Sequence, residues 1–453
     1  MTDPWPALQD LAELPDGGWV TPSGPERANT RSAARIGSHF RGQKDGRNPY
    51  GCAMQRIITR HFGDTMVADR KLICETHPHL DFDLQRIIGK LVWSDWLTLG
   101  ECCSKIDHIC GVPLAPHVAE QLHRLSLIRG TQATTAIEGN TLSEEQVQGI
   151  HDGSLKLPPS QAYMQREVEN IIVAHNRILQ GLGQPENLSV DFIRDLNRQV
   201  LKDLGGLLED HVVPGEFSTK PHGVANYRAP RPEFLEALSV RFVETFGQRH
   251  EAEMASNIIR AVLAHLYFVW IHPFGDGNGR TGRLIEHYIL VHSGVPTPAA
   301  HLLVHHYNKT RSLYQAELRK ASDTGEALGF IRYALGGFAD GLRSHIEVIQ
   351  QHQLDVAWRD YIHERCPHKT ETDKRRIDLM LTLPVEWINR RDIPLLSARM
   401  GAHYGLGTGA RSKAMTRDIN KLRELKLVET SGRNRVRARR EIMLAFMPQA
   451  SAI

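Results

Sequence analysis

Residues 271–283 read Ile-His-Pro-Phe-Gly-Asp-Gly-Asn-Gly-Arg-Thr-Gly-Arg, and they lie between two segments of helical period. Upstream, 253–271 is almost continuously apolar; downstream, 280–293 carries Leu284, Tyr288 and Val291 on one face. The loop between them holds Gly275, Gly277 and Gly279. Glycines let backbone N–H groups approach a ligand closely, and a loop that ends on a helix N-terminus is a ready anion site. Arg280 and Arg283 are three apart and share a face of the exit helix. Two guanidiniums beside an N–H cradle suit a polyphosphate better than a single carboxylate. Asp276, the only acid in the loop, is a candidate ligand for a Mg²⁺ bridging phosphates, and His272 is a candidate general base at neutral pH. A base, a metal ligand, an anion nest and two phosphate clamps describe a phosphoryl- or nucleotidyl-transfer site, where catalysis is mostly positioning and charge stabilisation.

Around this loop the chain is helix after helix. Apolar residues recur at i, i+3, i+4 spacing over 83–110, 117–138, 143–151, 161–182, 190–204, 232–248, 253–271 and 280–293, then over 309–322, 326–349 and 353–364. The exception is 212–232, where Pro214, Gly215, Pro221, Gly223, Pro230 and Pro232 forbid a helix and fit a β-hairpin or flap. Residues 1–65 are rich in Gly, Pro, Ser and Arg and show no sustained period, so a variable or disordered extension is expected there. Met66, just ahead of the patterned sequence, is a second candidate start, which the intact mass of the natively expressed protein would decide.

Composition sets the outer bounds. At 453 residues, 41% hydrophobic and 24% charged, the chain suits a soluble protein of several domains and excludes collagenous, disulfide-scaffold and membrane-spanning classes. No secretory leader is visible in MTDPWPALQDLAEL, so a cytoplasmic location is expected. Six cysteines are too few and too irregular for a disulfide framework. Cys102, Cys103, His108 and Cys110 contain no CxxC pair and fall in a helical pattern, where Cys reads as a small buried hydrophobe rather than a zinc ligand. His301, His305 and His306 read as a solvated or half-buried helix face.

The segment His272–Arg283 resembles, without a gap, the signature of the Fic family, enzymes that move AMP from ATP to a protein hydroxyl; the resemblance spans roughly 75–350. It implies an all-α fold, a Fic helical core with a β-hairpin flap. His272 would take the proton from a Tyr, Ser or Thr hydroxyl attacking the α-phosphate, and Asp276 would hold Mg²⁺. Gly277, Asn278 and Gly279 would form the anion hole, Arg280 and Arg283 would grip the β- and γ-phosphates, and Phe274 would anchor the loop. The flap around His222, Gly223, Val224 and Ala225 would pair with the target's backbone. Tyr314 resembles the family's adenine-contacting aromatic. The related Doc kinase carries Asn-Lys where this chain has Asn278-Gly279, which favours nucleotidyl transfer here; donors carrying UMP, GMP or phosphocholine fit the same motif. The resemblance also implies self-modification and a homodimer.

Thr134-Thr-Ala-Ile-Glu138-Gly139-Asn140 closes the helix that starts near Pro116. With Gly139 as a left-handed cap, Glu138 sits at the negative end of the helix dipole, a disfavoured place for a carboxylate that points to a distant partner. Thr134-xxx-Glu138-Gly139 resembles the Fic inhibitory motif. By that resemblance Glu138 pairs with Arg283 and blocks the γ-phosphate site, and in some relatives the same glutamate supports AMP removal.

After 370 the pattern changes. Helices over 373–383, 393–400 and 412–425 precede an alternating tail, 427–430, a Ser-Gly-Arg-Asn turn and a strand from Arg435 to Phe446. This is the layout of a winged helix-turn-helix. Residues 371–450 hold 17 Lys and Arg against 9 Asp and Glu. Arg411, Arg417 and Lys421 would lie on or near the recognition helix, with Arg433, Arg435, Arg437, Arg439 and Arg440 in the wing, a surface able to meet DNA phosphates. An interaction or dimerisation module of the same shape is the alternative. The domains expected are 1–65 extension, 66–160 helical region with the inhibitory helix, 161–350 Fic catalytic core, 351–370 linker helix and 371–453 winged helix-turn-helix.

Overall fold

The structure, a computed structural model, describes residues 76–181, 188–224, 227–247, 253–366, 370–405, 409–432 and 434–444. The expected extension 1–65 and Met66 lie outside the described residues. The described residues divide into two compact units, one before residue 346 and one from 346 onward.

The larger unit begins with α1 (Leu84–Ile88), α2 (Trp93–Gly111), α3 (Pro116–Ile137), α4 (Glu144–His151), α5 (Ala162–Gln180) and α6 (Val190–Val200). A two-stranded hairpin follows, β1 (Gly223–Val224) and β2 (Tyr227–Arg228), paired antiparallel with Val224 opposite Tyr227. Then come α7 (Pro232–Phe246), α8 (Met254–Ile271), α9 (Asn278–His292), α10 (Thr297–Ala300), α11 (Leu302–Lys309), α12 (Arg311–Thr324) and α13 (Leu328–Arg365). Helix α8 is the hub. It is apolar on every face, and Asn257–Phe268, Trp270 and Ile271 are buried, with α2, α7 and α9 packed against it. By length and composition this helix would also pass for a membrane span; its burial in the unit's core accounts for its character.

Local chemistry explains most boundaries. Ser143 caps α4 through a capping box with Gln146, and Ser189 caps α6 by accepting from the Phe192 N–H. Three departures from the sequence reading have physical causes. The segment read as one helix over 83–110 is two, because Gly89 ends α1 and Asp95 restarts the helix by accepting from the Val92 N–H at 3.0 Å. Helices α10 and α11 fill a stretch where only the helical spacing of His301, His305 and His306 was read; Pro298 sits in the first turn of α10, where its missing N–H costs nothing. The helices read at 326–349 and 353–364 are one, α13, so 351–370 is not a separate linker.

The smaller unit takes the second half of α13, then α14 (Glu371–Thr382), β3 (Ile388–Asn389), α15 (Ala398–Tyr404), α16 (Gly409–Glu424), β4 (Val428–Ser431) and β5 (Arg435–Ala438). The strands form one antiparallel sheet in the order β3-β5-β4. Strand β3 escaped the sequence reading because only two residues pair, and the last strand ends at Ala438, where a 3₁₀ turn, Arg440–Leu444, takes over. The unit has its own core, with Trp358, Ile362, Leu379, Met400, Ile419, Leu422 and Val436 buried. At its centre the buried Asp418 accepts from Arg375 Nε at 2.7 Å, Arg376 Nε at 2.9 Å and the Tyr404 hydroxyl at 3.0 Å. One carboxylate therefore ties α14, α15 and α16 together. Replacing Asp418 with Ala strands three donors and should cost this unit roughly 3 kcal/mol. Hydrogen–deuterium exchange should rise about 100-fold in α14 and α16, against unchanged protection in α8 and α9.

Candidate active site

The loop between α8 and α9 is closed from within. The Asn278 amide accepts from the Phe274 N–H at 3.0 Å and donates to the Phe274 carbonyl at 2.7 Å, as a paired strand would. Phe274 is fully buried, bridges backbone to Phe217, and stacks near Phe217 and Phe268. Gly277 precedes the helix with φ 76°, a conformation that favours glycine. The N–H groups of the first turn of α9 thus face the site without an intrahelical partner, the geometry of an anion hole. Asn278 serves through its backbone there, because its side chain is spent on the loop.

Glu138 lies beside that turn in this structure. It caps α3, with Gly139 at φ 105°, as the sequence requires. Its Oε1 accepts from Arg283 Nη2 at 2.6 Å and lies so close to Gly279 that a Cβ there would collide with it. Arg283 is almost wholly buried, its side chain 2% exposed, whereas Glu138 is 35% exposed. The guanidinium also donates to Thr134 Oγ1 at 2.8 Å and to the Thr134 carbonyl at 3.1 Å. Burial works against the Glu138 carboxylate, but the cations Arg283, Arg280 and Arg311 outweigh it and hold its pKa below the ordinary carboxylate value.

Arg280 is engaged as well. Its Nη1 donates to Glu167 Oε1 at 2.6 Å, and Asp276 Oδ1 lies 3.5 Å from its Nη2. Glu167 Oε2 accepts in turn from the Asn140 amide at 3.0 Å, so one carboxylate on α5 joins the first turn of α9 to the turn just after Glu138. Asp276 accepts from the Gly277 N–H and is otherwise turned outward, 47% exposed. A half-exposed carboxylate beside an anion hole suits a cation that takes its other ligands from phosphates and water, which is how Mg²⁺ binds nucleotides.

His272 terminates α8 in the left-handed region, φ 49°, which swings its ring over the loop. Burial pushes its pKa down to about 4, against the pull of the Val269 carbonyl, Glu138 and Asp276, so the imidazole is neutral and can accept a proton. The hairpin lies alongside. The His222 ring is 6.2 Å from that of His272 and is hydrogen-bonded to Ser218, while Tyr227 anchors the flap by donating to the Trp270 carbonyl at 2.8 Å. Gly223 and Val224 form β1, whose other edge has no strand among the described residues. Ala225 lies outside the described residues. Tyr314 is enclosed beside Arg283. Its ring is buried and stacked on Tyr307, and its hydroxyl contacts Arg283 Nη1 at 3.4 Å and His265 Nε2 at 3.0 Å. In this arrangement it props the guanidinium and has no face open to a base.

Residues 187–290 match the Fic/DOC family. The chain is 32% identical over 203 residues to the protein adenylyltransferase fic-1 of Caenorhabditis briggsae, a match covering 44% of this chain and 37% of that protein. It is 30% identical over 200 residues to the protein adenylyltransferase Fic of Drosophila ananassae, covering 44% and 38%. The chain thus spans under two-fifths of the length of these curated relatives. Among solved structures, a Fic family protein from Desulfovibrio desulfuricans G20 aligns with TM-score 0.48 at 20% identity, over 77% of this chain and 97% of that one.

Two residues that hold the Fic loop in place were not read from the sequence. Glu167 is one. The other is Asn197 on α6, which donates to the Asp276 carbonyl at 2.9 Å and accepts from the Gly215 N–H at 2.9 Å. Both act across long sequence separations, and a lone polar residue inside a helical period carries no mark of that. The low pKa of His272 has a direct consequence. In an NMR titration the imidazole signal that disappears in His272→Ala should stay neutral from pH 8 down to near pH 4; a midpoint at the ordinary 6.5 would contradict the burial described. Because the unfolded chain binds this proton more tightly, the stability His272 contributes falls as pH drops from 6.5 towards 4.

Proposed function

We propose that this protein is an adenylyltransferase that moves AMP from ATP to a hydroxyl of a protein Tyr, Ser or Thr, itself included, and that Glu138 holds it in check. The observation that carries this reading is the pairing of the buried Arg283 with the Glu138 carboxylate, which lies against Gly279 at the start of α9, where an anionic phosphate would otherwise be held. A carboxylate takes that place only if the site is built for negative charge.

With Glu138 withdrawn, the residues have separable tasks. The neutral His272 accepts the hydroxyl proton as the oxygen bonds to the α-phosphorus and the bond to the β-phosphate breaks, releasing pyrophosphate. The first-turn N–H groups of α9, from Gly277 to Gly279, stabilise charge on the phosphates, and Arg280 and Arg283 grip the leaving group. Asp276 would hold Mg²⁺, which would supply positive charge against the phosphates. The edge of β1 near His272 offers backbone pairing to an extended target segment, so the hydroxyl is presented by main-chain register rather than by side-chain identity. Glu138 has a second use once displaced, as a base for water in AMP removal. Other nucleotide donors share every one of these residues and differ only at the base.

The test uses α-labelled ATP and Mg²⁺ with wild type, Glu138→Gly and Glu138→Gly/His272→Ala. Glu138→Gly should transfer label at least tenfold faster than wild type, about 1.4 kcal/mol of barrier, and the double variant should lose transfer. Equal rates in wild type and Glu138→Gly would remove the brake, and label persisting in the double variant would remove the base.

A second reading concerns the smaller unit. Its order of helix, strand, helix, helix and two-stranded hairpin is that of a winged helix, and Lys413, Arg417 and Lys421 stand exposed at four-residue spacing along α16. We propose that this stripe meets nucleic acid phosphates, making the Fic core a nucleotide-sensing part of a DNA-binding regulator. The wing contributes less than its arginine count suggests: Arg437 is paired with Glu429 and Glu441, Arg440 with Asp355, and Arg433 lies outside the described residues. Binding to a mixed-sequence duplex should weaken steeply with salt. Lys413→Ala/Arg417→Ala/Lys421→Ala should flatten that slope by about 2–3 and His272→Ala should leave it unchanged. Salt-independent binding, or none, would leave the unit as a protein-interaction module.

A further inference from the structure

Behind the phosphate clamp, one helical turn along α9 from Arg283, His287 meets two other histidines that the sequence sets far apart. His175 projects from α5, and His301 occupies the turn between α10 and α11. His301 was read as part of a half-buried helix face with His305 and His306; it is instead fully buried and turned inward, its ring lying directly over Gly130 of α3, where any larger residue would exclude it. The three imidazoles pack within 4.3–4.7 Å of one another, centroid to centroid. All three residues are at least 96% buried, at 3%, 4% and 3% exposure, and all six ring nitrogens lack a well-formed hydrogen bond. One ligand atom from each lies within 4.8 Å of the others, the one such group of His, Cys, Asp or Glu among the described residues.

Neutral imidazoles buried without partners are an unusual expense for a core position that Leu or Phe would fill, and three converging on one point share a single remedy. We propose that His175, His287 and His301 form a binding site for a borderline divalent transition-metal ion of the Zn²⁺ class. An all-imidazole donor set excludes the hard, oxygen-seeking Mg²⁺ and Ca²⁺ and suits Zn²⁺, Co²⁺ or Ni²⁺. Tetrahedral Zn–N bonds of about 2.0–2.1 Å space their nitrogens roughly 3.4 Å apart, so the rings need only swing inward by about an ångström. Burial holds all three pKa values below the ordinary 6.5, so at neutral pH each ring presents a lone pair and no proton must be displaced. The Ala300 carbonyl faces His287 and raises its basicity, the support that metal-bound histidines usually receive from behind. A cavity with room for about one water-sized occupant borders the cluster, lined by His175 and His287 but not His301, and the buried Glu286 carboxylate on its wall lies near the added charge. The site would tie α5, α9 and the α10–α11 turn together beneath Arg283. It stands independently of the transfer activity proposed above.

The test is made on the full chain, stripped of metal with a chelator and titrated with Co²⁺. The wild type should develop visible d–d absorption that saturates at about one equivalent and is bleached by Zn²⁺, and Zn²⁺ should raise Tm by several degrees. His175→Phe and His301→Phe, each shown folded by circular dichroism, should lose the absorption, and His305→Ala should keep it. X-ray absorption of the Zn²⁺ form of the wild type needs no variant and should show three imidazole ligands. No Co²⁺ absorption in the wild type, absorption that persists in folded His175→Phe or His301→Phe, or a zinc shell with fewer than three imidazoles would each overturn the proposal.

Discussion

A guanidinium at the bottom of the site is the constraint around which the rest of the larger unit is arranged. Arg283 is buried almost completely, and a buried unpaired cation costs several kcal/mol even after the protein relaxes around it. Its position allows few remedies. Thr134 supplies a hydroxyl and a carbonyl from the last turn of α3, and the Tyr314 hydroxyl approaches from α12, but these are dipoles. The full counter-charge comes from Glu138. A phosphate would answer the same need from the other side. Under the proposed function, Glu138 and a polyphosphate would be rival solutions to one electrostatic problem. The pairing also explains why Glu138 tolerates the unfavourable end of the α3 dipole: the field of Arg283, with Arg280 and Arg311 behind it, is stronger than that of a helix terminus.

The second arginine is held differently. Arg280 pairs with Glu167, and Glu167 also takes the Asn140 amide two residues past Glu138. One carboxylate bridge thus joins the turn after Glu138 to the first turn of α9, so the two segments are mechanically linked. Asn197 does the equivalent for the loop, spanning from Asp276 to Gly215, and Asn278 closes it internally. A loop so bonded presents its N–H groups in one geometry before any ligand arrives, which is what electrostatic stabilisation requires.

Legibility in the sequence followed the range of the interaction. His272, Asp276, Arg280 and Arg283 were readable because a loop entering a helix fixes their relations within a dozen residues. Glu138 was readable because a carboxylate at a helix C-terminus breaks a local rule, and the Thr134 spacing then matched a known motif. Glu167, Asn197 and the three-histidine cluster were not readable, since each depends on a partner 79 to 126 residues away and looks, along its own helix, like an ordinary polar residue. Tyr314 shows the converse. Its helical spacing fitted both a core residue and a ligand contact, and burial against Tyr307 decides for the first in this arrangement. Helix α13 was divided in the reading because Gln350-Gln-His-Gln353 interrupts the apolar period. Gln is nonetheless a good helix former, so the backbone runs on where the hydrophobic stripe stops.

The smaller unit shows why a charge count is not a surface. Its sequence is strongly basic, yet Arg375 and Arg376 are committed to Asp418, Arg399 to Asp378, Arg437 to Glu429 and Glu441, and Arg440 to Asp355. These pairs hold helices and strands of the unit to one another, while 17 cations against 9 acids over 371–450 still leave it net positive. Residues four apart on α16 fall on one face, and at 413, 417 and 421 all three are basic and exposed, although Lys421 also pairs with Glu424 at 3.0 Å. Exposed Arg391, Arg423, Lys426 and Arg435 add to the positive surface, so the affinity of this unit for a polyanion should track which cations stand exposed on one face and not the composition of the tail.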